Sequence, residues 1–218
     1  MKNVIVGIRF ILTVKVFDVK LIDGINSPVK PDPFEDFPIY PSSSGSPVLF
    51  IVGNADSYRQ VRSLGSVAYR MGDKQKQLDY FSIDFNEELS ALFGGVLEQQ
   101  TEFVAHAIQR ILSLYKKEKK IILVGNSIGG LLSRKIDEIR NQSKVFCFLG
   151  AVFLQPSDRF NPKTVLLLIT QATPHQAPVI HSDSYIMDFY SRVNQYWIDQ
   201  WNHSLEHLVL VSLAGGDR

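Results

Sequence analysis

The chain has 218 residues, 45% of them hydrophobic, which is typical of one domain with a substantial buried core. Lys and Arg number 23 against 22 Asp and Glu, so the chain lacks the basic excess that binds a nucleic-acid backbone. Its single cysteine, Cys147, excludes an internal disulfide and a thiolate-rich zinc site. We therefore expect no nucleic-acid partner, no metal and no cofactor.

The first part of the chain predicts a strand and loop region rather than a membrane span. The apolar run at residues 4–19 is interrupted by Arg9, Lys15 and Asp18, and so many charges are unfavourable in a spanning helix. Residues 27–47 are rich in proline and serine and have no periodicity, which indicates a long loop. We assign residues 1–46 to this region and residues 47–218 to an α/β domain.

Short apolar runs alternate with helical patterns through the rest of the chain. The runs are too short for helices and too continuous for half-exposed strands, so they predict strands buried on both faces; they occupy residues 48–52, 80–85, 121–124, 165–169 and 208–213. Apolar residues within 104–115 and 128–139 fall on single helical faces. The fold class is therefore α/β, with a mostly parallel sheet and helices on both faces. The apolar segment at residues 145–154 is expected to be a buried strand or an insertion.

The sequence Gly-Asn-Ser-Ile-Gly at residues 125–129 follows one predicted strand and opens a predicted helix. This strand-turn-helix setting is that of a nucleophile elbow, in which the serine stands exposed at the carboxyl edge of the sheet. Ser127 is therefore the candidate nucleophile. The alternative is that the glycine-rich turn only connects the strand to the helix.

A serine that attacks an acyl carbonyl needs fixed donors for the oxyanion that forms. The backbone amide of Ile128, at the helix N-terminus, is one candidate. The loop at residues 52–57 follows an earlier strand and is expected to supply the second amide, from Asn54 or Ala55.

Longer stretches resemble a known family, the GPI inositol-deacylases. They occur in that family's order and cover most of residues 47–216: PVLFIVGNADSYRQVRSLGS, FSIDFNEELSALFGG, QTEFV, LVGNSIGGLLSRK, LLITQATPHQAPV and DFYSRVNQYW. The resemblance implies an α/β-hydrolase fold and a serine esterase of the endoplasmic reticulum membrane. Its substrate would be the fatty-acyl ester on the inositol of a GPI anchor, free or on a GPI-anchored protein, with Ser127 as nucleophile.

The chain departs from the family pattern at three positions around this site. Asn126 replaces the usual histidine, Val52 a proline and Asp56 a glycine. A carboxylate at Asp56 that pointed into the pocket would oppose the oxyanion, whereas one that faced solvent would be harmless.

The acid and the histidine of the catalytic triad are not expected within this chain. In α/β-hydrolases they follow the nucleophile, after late strands. The resembled family has a plausible acid just after the strand at residues 208–213, but Asp217 lies two positions early in that register, and no histidine follows it. The fold is therefore expected to be incomplete at its C-terminal end. His175 is expected to line the pocket or cap a turn.

The sequence leaves open the role of one apolar stripe and the choice between an enzyme and a binding protein. Large apolar side chains recur every four residues from Tyr185 to Trp201, a stripe that could line an acyl site, rest on a bilayer or belong to the core. The chain could also be a non-catalytic hydrolase fold that binds a lipid or a partner, or another lipase, esterase or acyltransferase.

Overall fold

A computed structural model describes residues 11–13, 45–71, 78–85, 87–136 and 161–215. Most of the proline- and serine-rich loop, the apolar segment at residues 145–154, Cys147 and Asp217 lie outside these described residues.

The described residues form one six-stranded sheet. Its strands are β1 (Ile11–Thr13), β2 (Ser46–Ile51), β3 (Leu78–Asp84), β4 (Ile121–Asn126), β5 (Val165–Gln171) and β6 (Val209–Leu213). The spatial order is β1-β3-β2-β4-β5-β6; β1 pairs antiparallel with β3 and all other pairs are parallel. All five strands predicted from the sequence are present, each shifted by no more than two residues at either end. The prediction that all five are buried on both faces is wrong for β6, which is an edge strand of the described sheet and in which Val209, Val211 and Leu213 are 39–57% exposed.

In the described part of the chain, four helices connect the parallel strands: α1 (Val61–Met71), α2 (Leu97–Ser113), α3 (Ile128–Ile136) and α4 (Ser184–Gln200). The crossover through α1 runs from β2 outward to β3, whereas those through α2, α3 and α4 run in the opposite direction across the sheet. Because such crossovers are right-handed, α1 lies on one face and the other three helices on the other. Contacts of α3 with α2 and with α4 agree with this arrangement, so the prediction of helices on both faces is confirmed.

The central strands are buried on both faces, which explains their uninterrupted apolar sequence. Every residue from Val48 to Val52 is at most 2% exposed, and in β4 Ile121, Leu123 and Val124 are at most 5% exposed. Strands covered by helices on both sides have no solvent face on which polar residues could alternate.

The strand order reverses beside Ser127, which is where a crevice is expected in an open α/β sheet. The chain leaves β2 toward β3 on one side, and β4 lies on the other side. In open α/β sheets the loops diverge at such a reversal and leave a crevice at the carboxyl ends of the two strands, where ligands bind. The loops that follow β2 and β4 carry the predicted oxyanion amides and Ser127.

The aromatic stripe of α4 belongs mainly to the core. Phe189, Val193 and Trp197 are at most 6% exposed, while Tyr185 and Trp201 at its two ends are 69% and 51% exposed. No helix among the described residues is long and apolar enough to span a bilayer.

Candidate active site

Ser127 occupies the sharp turn between β4 and α3. Its φ angle is +52°, a left-handed backbone conformation that is uncommon for a residue with a side chain. Its amide donates to Gln171 O of β5 at 2.8 Å, and its carbonyl accepts from Gly130 N at 3.1 Å. The turn is therefore fixed from both sides, and strain of this kind is characteristic of a nucleophile elbow.

Glycines allow the close packing on which the elbow depends. A Cβ atom added at Gly125 would lie 2.5 Å from Gly130 Cα, and one added at Gly129 would lie 2.6 Å from Val52 O. Contacts this short do not occur for real side chains, so the first turn of α3 can approach β4 and β2 only because these positions are glycine.

The loop after β2 lies directly against the nucleophile. An ideal Cβ on Gly53 would be 2.9 Å from Ser127 Cβ and 2.7 Å from Asp56 Oδ2. Ser127, the candidate nucleophile, and one oxygen of the Asp56 carboxylate therefore both border Gly53. The Asp56 carboxylate thus faces the elbow. In this orientation its negative charge would oppose an oxyanion formed at Ser127.

The candidate oxyanion amides differ in whether they already donate a hydrogen bond within the protein. Ile128 is the first residue of α3, a position at which a backbone amide has no acceptor within the helix. Ala55, at φ +51°, donates its amide to Glu88 O at 2.9 Å, so that group is already engaged. Asn54 N has no acceptor among the described residues, and we retain Asn54 rather than Ala55 as the second donor.

Two of the three departures from the family pattern contact each other. Asn126 Nδ2 donates to Asp56 Oδ2 at 2.8 Å, and Gln60 Nε2 donates to Asp56 Oδ1 at 2.7 Å. Each carboxylate oxygen accepts one bond and keeps further lone-pair capacity. The pair joins the β2 loop to the residue that precedes the nucleophile.

His175 lies over β5 and β6 and is hydrogen-bonded to residues other than Ser127. Its Nδ1 is 3.3 Å from Arg134 Nη1, and its Nε2 is 3.0 Å from Thr170 Oγ1 and 3.3 Å from Ser212 Oγ. Because a guanidinium can only donate, Nδ1 must accept, and we assign the ring proton to Nε2. Burial, and then the adjacent Arg134 charge, lower the pKa of His175 and favour this neutral form.

Arg134 is itself buried, at 7% exposure. Its guanidinium lies 4.9 Å from the centroid of the Trp197 ring, and Trp197 Nε1 donates to Arg134 O at 3.0 Å. Burial lowers the pKa of Arg134 to about 10. His175 is therefore part of a packed polar group beside β5 and β6, and its role in capping a turn or lining the pocket stays a prediction.

The loop between β3 and α2 forms a rim that the sequence alone did not indicate. It is tied to the β2 loop by Ala91 N, which donates to Asn54 Oδ1 at 2.8 Å. It is tied to α4 by Gly94 N, which donates to Asp183 Oδ2 at 2.9 Å. Leu89 and Phe93 on this loop are 55% and 57% exposed. Exposed apolar side chains thus border the same edge of the sheet as Ser127.

No described side chain is hydrogen-bonded to Ser127 Oγ, so the described residues identify no general base. Across that same part of the chain, no group of three or more His, Cys, Asp or Glu is arranged to hold a metal ion. What the described site does contain is the candidate nucleophile Ser127 on a strained turn, with the two candidate oxyanion amides on the segments that flank it.

Residues 42–218 match the family described as PGAP1-like alpha/beta domain. This chain belongs to that family. Two relatives of this PGAP1-like chain carry the name GPI inositol-deacylase. The Mus musculus protein is 42% identical over 182 residues, which is 80% of this chain and 18% of the relative. The Xenopus laevis protein is 39% identical over 180 residues, covering 79% of this chain and 17% of the relative.

The PGAP1-like chain thus spans less than a fifth of the length of these two relatives. Among solved structures, a protein described as a cell-surface hydrolase of Lactobacillus plantarum aligns with a TM-score of 0.51 and 14% identity. The alignment covers 80% of this chain and 69% of the Lactobacillus plantarum chain. That likeness supports the fold alone. The predicted α/β-hydrolase-like fold is confirmed. The match to the family and the named relatives confirm the family resemblance.

Proposed function

We propose that this PGAP1-like chain is the catalytic part of a GPI inositol-deacylase. Its reaction would be hydrolysis of the fatty-acyl ester on the inositol of a GPI anchor. The observation that carries the proposal is the left-handed Ser127 turn at the carboxyl edge of the sheet, next to the β2 loop. The substrate is taken from the name of the relatives. An endoplasmic-reticulum membrane setting, which the family resemblance implies, is part of the same proposal.

The proposed reaction passes through a covalent acyl-enzyme. Ser127 Oγ attacks the acyl carbonyl carbon and loses its proton to a general base, while the carbonyl oxygen becomes an oxyanion held by the amides of Ile128 and Asn54. Collapse of this intermediate breaks the ester bond, and the inositol oxygen leaves with a proton. A water molecule then attacks the acyl-enzyme and releases the fatty acid. The base is proposed to be a residue other than those described.

The exposed apolar rim fits a lipid ester. Leu89 and Phe93 stand at the edge where the acyl chain would enter, and the backbone of Tyr185, on the first turn of α4, lies against Gly94 of the same loop. An acyl chain that leaves a bilayer needs apolar contacts along its path to the nucleophile. This feature supports a lipid over a polar, water-soluble ester.

A non-catalytic role is the second candidate, and Asp56 is the observation that favours it. Its carboxylate borders the position where the oxyanion would form, and a negative charge there slows acyl transfer. A protein of this kind would bind the lipid or a partner without turnover.

The test uses cells that lack GPI inositol-deacylase and display a GPI-anchored reporter. Removal of the acyl group frees an inositol hydroxyl and should make the reporter sensitive to phosphatidylinositol-specific phospholipase. We expect the natural full-length gene to restore release of the reporter, and the same gene with Ser127→Ala to leave it resistant. A well-expressed wild-type protein in the correct membrane that leaves the reporter resistant would refute the proposal.

A further inference from the structure

The negative charge at Asp56 is not neutralised by any described cation. In the part of the chain that the structure describes, its two oxygens accept hydrogen bonds only from the side-chain amides of Asn126 and Gln60, and none of the described ion pairs includes it. Arg59, the nearest cation along the chain, instead places its guanidinium 5.9 Å from the centroid of the Tyr58 ring. Among the described residues, the Asp56 carboxylate is therefore a negative charge without a cation partner, close to the candidate nucleophile.

Such a charge is costly for a reaction whose transition state is an oxyanion. Asp56 Oδ2 and Ser127 Cβ both lie within van der Waals range of a Cβ on Gly53, so the carboxylate and the oxyanion would be close neighbours. A charge pair this close in a partly exposed site changes a rate by about tenfold. With a neutral ester, the Asp56 carboxylate would repel the oxyanion and nothing would compensate for this repulsion. With an ester that carries its own cation, the carboxylate would attract that cation, and this attraction would offset the repulsion.

We propose that Asp56 determines substrate specificity, and that the esterase prefers acyl esters whose alcohol part carries an ammonium group near the ester. The inference rests on the proposed esterase function and names the chemistry of its substrate. Asn126 and Gln60 are positioning residues, because their amides hold both oxygens and keep the carboxylate turned toward the elbow. The lone-pair capacity that these two bonds leave on Asp56 would receive the cation.

The experiment compares two decanoyl esters with the full-length protein in detergent. One is the ester of choline, and the other is the ester of 3,3-dimethylbutanol, in which a carbon atom replaces the ammonium nitrogen. We expect the wild type to favour the choline ester by about tenfold in kcat/KM, and we expect added salt to reduce this preference. Asp56→Asn, which keeps the size of the side chain and an acceptor for Asn126, should bring the ratio close to one. Asp56→Glu should retain a preference above one.

Asp199→Asn is the matched control. Asp199 Oδ1 also accepts from a glutamine amide four residues away, at 2.8 Å, but Asp199 lies at the far end of α4, about 22 Å from its start. This variant should keep the wild-type ratio. Hydrolysis of both esters with a wild-type ratio near one, or with a ratio that Asp56→Asn leaves unchanged, would overturn this inference and leave the esterase proposal standing. Hydrolysis of neither ester would overturn both.

Discussion

One methyl group added at Gly129 should push α3, the helix that follows Ser127, away from β2 and the loop that follows it. An ideal Cβ there would lie 2.6 Å from Val52 O and nearer still to Ile51 O, whereas ordinary contacts begin at 3.4 Å. Both clashing atoms are backbone atoms of β2 and the residue after it, so they cannot rotate away. In Gly129→Ala, α3 and β2 must therefore move apart by about 1 Å, a displacement that costs on the order of 100-fold when it misplaces reacting groups.

The same displacement should destabilise the fold, because overpacking a filled interior costs about 1–3 kcal/mol in the free energy of unfolding. For a domain of this size each kcal/mol corresponds to about 2–4 °C in melting temperature. We would measure the apparent melting temperature and the rate of labelling by a fluorophosphonate probe. Gly215→Ala is the control, since a Cβ there meets nothing within 4 Å. A Gly129→Ala protein that melts and reacts like the wild type would refute the packing argument.

Three further predictions concern side chains around the site. Asp183→Ala should lower the free energy of unfolding by about 1–2 kcal/mol in urea or thermal melts, because Asp183 caps α4 and also holds the loop before α2; an unchanged value would contradict both contacts. Trp197→Phe should cost about 1 kcal/mol in the same melts, through loss of its bond to Arg134 O. The pKa of His175 is lowered in the folded state, so the folded protein binds fewer protons than the unfolded chain just below pH 6.5. The free energy of unfolding should therefore fall as the pH falls through that region. His175→Gln should make melting temperatures less dependent on pH there, and an unchanged slope would contradict that assignment.

The strands and the elbow could be predicted because each depends on a local pattern. Strands buried on both faces need unbroken apolar runs, and a nucleophile on a strand-helix turn needs glycines two positions away on both sides. The helix α1 was not predicted, although Ser57 followed three residues later by Gln60 is a signal for a helix N-terminus. In the structure Ser57 Oγ accepts from Arg59 N at 3.3 Å, just ahead of that helix.

The side-chain contacts between loops could not be predicted. Asp56 and Asn126 are separated by 70 positions, and Ala55 and Glu88 belong to loops after different strands. Whether Asp56 faces the crevice depends on the conformation of its loop and on the amides that happen to reach it. Sequence patterns fix which residues share a sheet edge, but not which of their donors and acceptors pair.

The central claim is that Ser127 is a reactive nucleophile, and covalent labelling tests it most directly. The full-length protein would be treated with a fluorophosphonate probe in its native state, and the modified residue identified by mass spectrometry of its peptides. We predict modification at Ser127, complete loss of labelling in Ser127→Ala and after heat denaturation, and normal labelling in Ser57→Ala, which changes a serine of the neighbouring loop. A native wild-type protein that is not labelled, or a Ser127→Ala variant that is labelled as well as the wild type, would contradict the account.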